Sequence, residues 1–313
     1  MPDVVITEFM DETAIGDGLA GFDVAYDPDL VDKPDELRKL LAGARGLIVR
    51  NRTQVRTTLL DAGPGLRIVG RLGVGLDNID QEACRARNIA VCPATGANDL
   101  SVAEYVIATA MLLLRGAYSA TDDVVAGKWP RSRLMGREIS GKRLGLVGYG
   151  SIARETARRA AALGMTISAY DPHLPAGHPA WSQPWGRVES QSLGDLLANT
   201  DVLSLHVPLT GETRNLIDAA ALAALPPGAI VINAARGGVI EEGAVAAALK
   251  AGRLGGAALD VFDEEPLSAN GGGIFDGCPN LILTPHVAGV TAESNIRVSR
   301  VVADAVATAL KAG

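Results

Sequence analysis

Cysteine, aromatic side chains, net positive charge and long apolar runs are all scarce in this 313-residue chain. The three cysteines, Cys84, Cys92 and Cys278, show neither CxxC spacing nor the pattern of a disulfide framework. They read as reduced thiols in or near the core, and no metal site is expected. Aromatics make up 4% of the residues, so the core must be built from Ala, Val, Leu and Ile. A formal net charge of −7 sets the chain against nucleic-acid phosphates and anionic membranes. It leaves room for a local basic pocket that takes a small anion. The longest apolar stretch, Tyr105 to Leu114, is too short to span a bilayer and fits a buried helix. Met1 to Met10 carries acidic residues and no apolar segment of signal-peptide length, so a cytoplasmic location is expected.

Glycine is abundant, at 36 residues, which suits tight turns and close backbone approach. A composition that is 48% hydrophobic and 21% charged is that of an ordinary globular protein. The length suggests roughly two domains. Val4–Thr7, Gly46–Arg50, Leu66–Gly70 and Ile89–Cys92 read as strands, with helical spacing over Pro34–Leu41 and Asp80–Arg87. A long helix is expected over Leu100–Ala117, with Ser101 and Glu104 placed like a capping box. After a polar stretch the alternation resumes. Arg143–Val147, Thr166–Tyr170, Val202–Leu205, Ile230–Asn233, Ala257–Val261 and Leu281–Leu283 read as strands, and Ile152–Leu163 as a helix. This alternation predicts an α/β fold with two doubly wound parallel-sheet units. The amphipathic helix Ala292–Leu310 has too little material to fold alone; it closes the second unit or returns to the first. His173–Gly186, rich in Pro and Trp, reads as an ordered surface loop.

The second unit opens on Leu-Gly-Leu-Val-Gly-Tyr-Gly-Ser-Ile-Ala, from Leu144 to Ala153. An apolar strand runs into Gly148 and Gly150, and a helix starts at once. Gly148 permits the tight turn, Gly150 lets a pyrophosphate approach the backbone, and the helix end offers free N–H groups to that anion. A lone Gly-x-Gly is a weak signal, but strand, turn, helix and second strand occur here in the order a dinucleotide site requires. The second strand ends in Asp171, placed to grip the adenosine ribose hydroxyls. A carboxylate there repels a 2′-phosphate, so the expected cofactor is NAD rather than NADP.

Three polar residues follow strands of the same unit: Arg236 after Ile230–Asn233, Glu265 after Ala257–Val261, and His286 after Leu281–Leu283. The carboxyl ends of the strands line the ligand crevice of an open parallel sheet. Arg236 can bind a carboxylate through two parallel hydrogen bonds. His286 can exchange the proton of a hydroxyl as its carbon loses or gains a hydride. Glu265 beside it favours the imidazolium and fixes the tautomer. In the first unit, Leu72-Gly-Val-Gly75 leaves the N–H groups of Val74 and Gly75 open to an anion. Arg50 and Arg52 share one side of a strand end, where either a second acidic group of the substrate or solvent can face them.

Several stretches in order resemble the D-isomer-specific 2-hydroxyacid dehydrogenase family over essentially the whole chain: Gly70–Asp80, Asn98–Glu104, Gly141–Ala153, His206–Thr210, Asn233–Gly238, Leu259–Pro266 and Thr284–Gly289. The resemblance implies two Rossmann-like domains with a cleft between them: residues 1–99 plus 287–313 for substrate and 100–286 for NAD. It implies a catalytic trio of Arg236, Glu265 and His286. NAD contacts are implied at Gly148, Gly150, Ser151, Ile152, Asp171, His206, Pro208, Ala234, Ala235, Arg236, Asp260, His286 and Gly289. Substrate contacts are implied at Arg52, Val74, Gly75, Arg236 and His286. The partner is then a small anionic 2-hydroxy or 2-keto acid of the 3-phosphoglycerate, sulfolactate, hydroxypyruvate or glyoxylate class. The resemblance also implies a homodimer formed around the long helix. Glu265 argues against formate, since formate dehydrogenases resemble this pattern with Gln at that position. An NAD-sensing corepressor scaffold of the same fold is the alternative, and the Ser132–Met135 segment is distinctive to this chain.

Overall fold

A computed structural model describes residues 1–175 and 177–312. The chain divides into two compact units, Met1–Asn98 with Val290–Gly313, and Asp99–Gly289.

The first unit holds a five-stranded sheet of β1 (Val4–Ile6), β2 (Val24–Tyr26), β3 (Gly46–Val49), β4 (Ile68–Arg71) and β5 (Ala90–Pro93). Its order is β2-β1-β3-β4-β5 and every pair is parallel. Alternate residues separate to the two faces, as the pleat dictates. Val5, Leu47, Val49 and Val69 pack against the short helices, and Val4, Ile6, Ile48 and Ile68 pack against the C-terminal helix Ala292–Lys311. That helix returns to the first unit because glycines admit it. A Cβ on Gly70 would lie 2.5 Å from Val302. Thr291 and Ser294 cap its start reciprocally, a box the sequence hides by placing Ser where Glu or Gln is usual.

The second unit holds β6 (Arg143–Val147), β7 (Thr166–Tyr170), β10 (Glu189–Ser190), β11 (Val202–Leu205), β12 (Ala229–Asn233), β13 (Leu254–Leu259) and β14 (Leu281–Leu283), with a small hairpin of β8 (Ser182–Gln183) and β9 (Gly186–Arg187). The sheet order is β10-β7-β6-β11-β12-β13-β14, again all parallel. The strand order reverses between β6 and β11, and the ends of these two strands form the crevice where such sheets take ligands.

Two sequence expectations are corrected. Ser101 does not cap the long helix. The helix runs Asp99–Arg115, so Ser101 lies inside its first turn and is buried. Strand β13 begins three residues before the expected Ala257, through Gly255 and Gly256. Glycine argues against strand in isolation, but here a Cβ at Gly255 would lie 2.4 Å from the carbonyl oxygen of Gly228. The segment His173–Gly186 is the ordered surface loop expected, most of its described residues being exposed, and it is anchored at one point. Trp181 is buried, stacks on Tyr149 with ring centres 5.0 Å apart, and donates to the carbonyl of Pro175 at 2.8 Å. Ala176, within that segment, lies outside the described residues.

Candidate active site

The glycine turn is shaped by its neighbours. Gly148 has φ +89°, and a Cβ there would sit 2.6 Å from the carbonyl oxygen of His206, so β6 and β11 approach as only glycine allows. Gly150 is different. It is the N-cap of the helix Ser151–Ala162, its φ is −74°, no side chain caps that end, and a Cβ would meet nothing within 4 Å. The free helix end and the empty space over Gly150 fit a pyrophosphate. Ser151 is exposed and Ile152 half-buried in the first turn. Asp171 arrives from the end of β7. One carboxylate oxygen accepts the N–H of Tyr149 at 2.9 Å and the other the N–H of His173 at 3.0 Å. Asp171 is thereby tied to the middle of the glycine turn. Past β11, His206 Nε2 lies 2.9 Å from Ser204 Oγ, and burial pushes the imidazole pKa down to about 4, leaving it neutral at neutral pH. The carbonyl of Pro208 accepts the hydroxyl of Thr213 at 2.6 Å.

Arg236, Glu265 and His286 are brought together by backbone interactions that the sequence does not advertise. Asn233, fully buried at the end of β12, donates from Nδ2 to the carbonyl of Arg236 (2.9 Å) and accepts the N–H of Ala235 (3.1 Å). This closes Ala234–Arg236 into a tight turn. Gly237 follows, and a Cβ there would lie 1.8 Å from the carbonyl oxygen of Phe262. The loops after β12 and β13 thus touch backbone to backbone, and Arg236 and Glu265 are carried on the two sides of that contact. Arg236 Nη1 donates to the carbonyl of Ala235 at 2.6 Å.

Glu265 uses both oxygens. Oε1 accepts the N–H of Phe262 at 3.0 Å, and Oε2 lies 2.7 Å from Nδ1 of His286. Burial alone would raise its carboxyl pKa. The bonds from His286 and Phe262, with the charges of His286 and Arg236, outweigh burial and hold it below the usual glutamate range. Nδ1 of His286 being engaged, Nε2 is the nitrogen that can meet a substrate. His286 sits at φ +56°, a conformation that costs a non-glycine residue. Its N–H donates to the carbonyl of Asp260 at 2.8 Å. The buried Asp260 carboxylate accepts the N–H groups of Val287 and Ala288, each at 2.8 Å, and the hydroxyl of Thr284 at 2.6 Å. Asp260 therefore clamps the His286 loop, which ends at Gly289, the last residue of this unit.

In the first unit, the N–H groups of Val74 and Gly75 donate to no protein acceptor among the described residues. The Arg71 guanidinium lies across Gly73, where a Cβ would be 1.6 Å from Nη1, and donates to the carbonyl of Leu72 at 3.0 Å. The loop thus presents open N–H groups with a guanidinium lying across it. Arg52 is exposed and paired with Asp32 at 2.5 Å. Arg50 is half-buried and donates to Asn295 Oδ1 at 2.7 Å. Sequence reasoning missed Glu8, whose buried carboxylate accepts four consecutive N–H groups, from Arg50 (2.9 Å), Asn51 (3.3 Å), Arg52 (3.0 Å) and Thr53 (3.0 Å). It also missed Arg71, Asn233 and Thr284. Only Asn233 left a signal, a polar residue closing an otherwise apolar strand.

Residues 107–288 match the family described as D-isomer specific 2-hydroxyacid dehydrogenase, NAD binding domain. The chain is 54% identical over 310 residues to (S)-sulfolactate dehydrogenase of Chromohalobacter salexigens, covering 99% of each. It is 39% identical over 264 residues to hydroxypyruvate reductase of Thermotoga maritima, covering 84% of each. It superposes with a TM-score of 0.84 on a D-lactate dehydrogenase of Aquifex aeolicus complexed with NAD and lactic acid, at 26% identity over 99% of this chain and 96% of that one. With a dinucleotide turn, an Arg–Glu–His cluster on strand ends of one sheet and these relatives together, the chain belongs to the D-isomer-specific 2-hydroxyacid dehydrogenases, and it is an oxidoreductase that moves a hydride between NAD and a small 2-hydroxy or 2-keto acid.

Proposed function

We propose that the substrate is a D-configured 2-hydroxy acid with a second anionic group, with 3-sulfolactate the leading candidate. The 54% identity to a sulfolactate dehydrogenase along the full length of both chains carries this reading. The stereochemical labels agree with it. Sulfur on C3 outranks the carboxyl carbon in naming priority, so (S)-sulfolactate has the same spatial arrangement as a D-2-hydroxy acid. In the first unit, which serves as the substrate domain, Val74 and Gly75 offer N–H groups to one anion, and the Arg71 guanidinium lies across the same loop.

The unit Asp99–Gly289 serves as the cofactor domain. Gly148, Gly150, Ser151, Ile152 and Asp171 would hold NAD, and NAD supplies the acceptor or donor of the hydride. Arg236 binds and orients the carboxylate. His286 Nε2 takes the C2 hydroxyl proton on oxidation and returns it on reduction. Glu265 stabilises the imidazolium so formed and keeps the ring turned toward the substrate. The exposed apolar side chains of Met111 and Leu112 on the long helix, with Tyr118, Val125, Trp129 and Met135 after it, support a homodimer built around that helix. The location is cytoplasmic.

The test is NAD reduction with (S)-sulfolactate, (R)-sulfolactate, D-3-phosphoglycerate, D-glycerate and D-lactate. The (S)-sulfolactate kcat/KM should exceed that for D-lactate by at least about tenfold, the contribution of one charge-assisted contact. Equal rates with D-lactate would remove the second anion from the proposal. Asp171→Ala should narrow the preference for NAD over NADP and also raise the KM for NAD, since the Tyr149 N–H loses its acceptor. An unchanged NAD/NADP ratio would show that Asp171 serves only the turn.

A further inference from the structure

The buried Asp260 carboxylate that clamps the His286 loop is itself served by a hydroxyl pair reaching back to the long helix. Thr284 Oγ1 lies 2.6 Å from Asp260 Oδ1 and 2.6 Å from the Tyr105 hydroxyl. Thr284 has one hydroxyl proton. The carboxylate can only accept, so that proton goes to Asp260. The lone pair of Thr284 then takes the proton of Tyr105. Every hydrogen in the chain Tyr105–Thr284–Asp260 is assigned by this count, and all run toward the carboxylate. Burial raises the Tyr105 pKa, which keeps it a donor. At the far end, the carboxylate grips the N–H groups of Val287 and Ala288, and the Asp260 carbonyl grips that of His286. The Asp260 N–H donates to the carbonyl of Asn233 at 2.9 Å, and the Asn233 side chain holds the Arg236 turn.

We propose that Tyr105 is a positioning residue for the reaction: its hydroxyl locks the Thr284 rotor, Thr284 locks Asp260, and Asp260 holds His286 in its left-handed conformation against Glu265. The role rests on the reading of His286 as the residue that exchanges the proton. A left-handed loop at a non-glycine residue persists only where its surroundings over-determine it, and this chain of hydrogen bonds is the means of doing so. No other group recorded among the described residues fixes the Thr284 hydroxyl from the helix side.

The experiment is a double-mutant cycle on kcat, with NADH affinity and thermal stability measured alongside. Tyr105→Phe, which removes one oxygen, should lower kcat roughly three- to tenfold, the size of one hydrogen bond, with the NADH Kd and the KM for the keto acid nearly unchanged. Thr284→Ser keeps the hydroxyl and should behave as wild type. Thr284→Val cuts the chain and should lower kcat more than Tyr105→Phe. Tyr105→Phe added to Thr284→Val should then cost nothing further, because the path it acts through is gone. Wild-type kcat in Tyr105→Phe, or losses that multiply in the double variant, would overturn the proposal. A purely structural tyrosine would lower the melting temperature in Tyr105→Phe and leave kcat of the folded enzyme intact. His286→Ala separates the two readings. If it is inactive while Tyr105→Phe is normal, the positioning role fails and the catalytic one stands. If His286→Ala turns over normally, both fail.

Discussion

Replacing His286 with alanine is expected to cut turnover by about 10²- to 10⁴-fold, the usual contribution of a positioned general acid–base group, while NADH binds almost as well as before. The expectation follows from where the residue's two halves are engaged. Its backbone is held by Asp260 and its Nδ1 by Glu265, so the loop keeps its main anchors when the imidazole is removed. The glycine turn and Asp171, proposed to carry the dinucleotide, lie on other strands. In the same variant the Glu265 carboxyl pKa should move upward. Burial is the largest influence on it, and without His286 burial is opposed only by the Phe262 N–H and Arg236. The pair contributes stability above the ordinary glutamate pKa, and that stability is lost as the pH falls through the lowered value. His286→Ala should therefore also flatten the acid limb of the stability profile. Steady-state kinetics, a fluorescence titration with NADH and a pH series of melts check the three parts. Comparable losses in turnover and NADH affinity would mean that the imidazole is structural.

The glycine turn and the trio were both legible in the sequence, for local reasons. A buried parallel strand is an unbroken apolar run, and Leu144–Val147 and Ile230–Ile232 show it plainly. Edge elements were harder. β2, three residues long and only half-buried, carries too short a pattern to stand out beside its flanking aspartates. The helices Leu193–Ala198 and Ala219–Ala224 are too brief for a helical period to register, although Ser192 and Asp218 cap them.

What the sequence could not show are contacts made across strands. Nothing near Glu8 in the chain announces that four N–H groups some 42 to 45 positions later will converge on its carboxylate. Arg71 lies just past the strand expected over Leu66–Gly70, and only the glycine at 73, with its positive φ, lets its guanidinium lie across the loop. Asp260 was legible as a strand-end acid, yet its partners Thr284, Val287 and Ala288 come from the next strand along. Residues that do chemistry repeat a recognisable spacing. Those that hold them in place are selected by three-dimensional neighbours, and only coordinates reveal them.

Gly237→Ala and Gly150→Ala should fail in opposite ways, although each adds a single methyl to a loop of the same unit. At Gly237 the new Cβ would fall 1.8 Å from the carbonyl oxygen of Phe262 and 2.6 Å from the N–H nitrogen of Asp263. Both neighbours are backbone, so neither can swing aside; the loops after β12 and β13 must part. Arg236 precedes that contact immediately, and Glu265 lies three residues past Phe262, so their relative position changes with it. Overpacking of this kind costs about 1–3 kcal/mol of stability. A misplacement near 1 Å in catalytic geometry costs about 10²-fold, so kcat/KM should fall by that order with the NADH Kd little altered. At Gly150 the methyl meets no protein atom within 4 Å and φ is already −74°, so the melting temperature should hold. The loss should appear in dinucleotide affinity, because the space the methyl occupies is the approach to the helix end. Calorimetric melts beside NADH titrations separate the two. A Gly150→Ala protein that binds NADH normally would show that the open helix end is not where the pyrophosphate lies, and a fully active Gly237→Ala protein would show that the contact between these loops does not set the catalytic geometry.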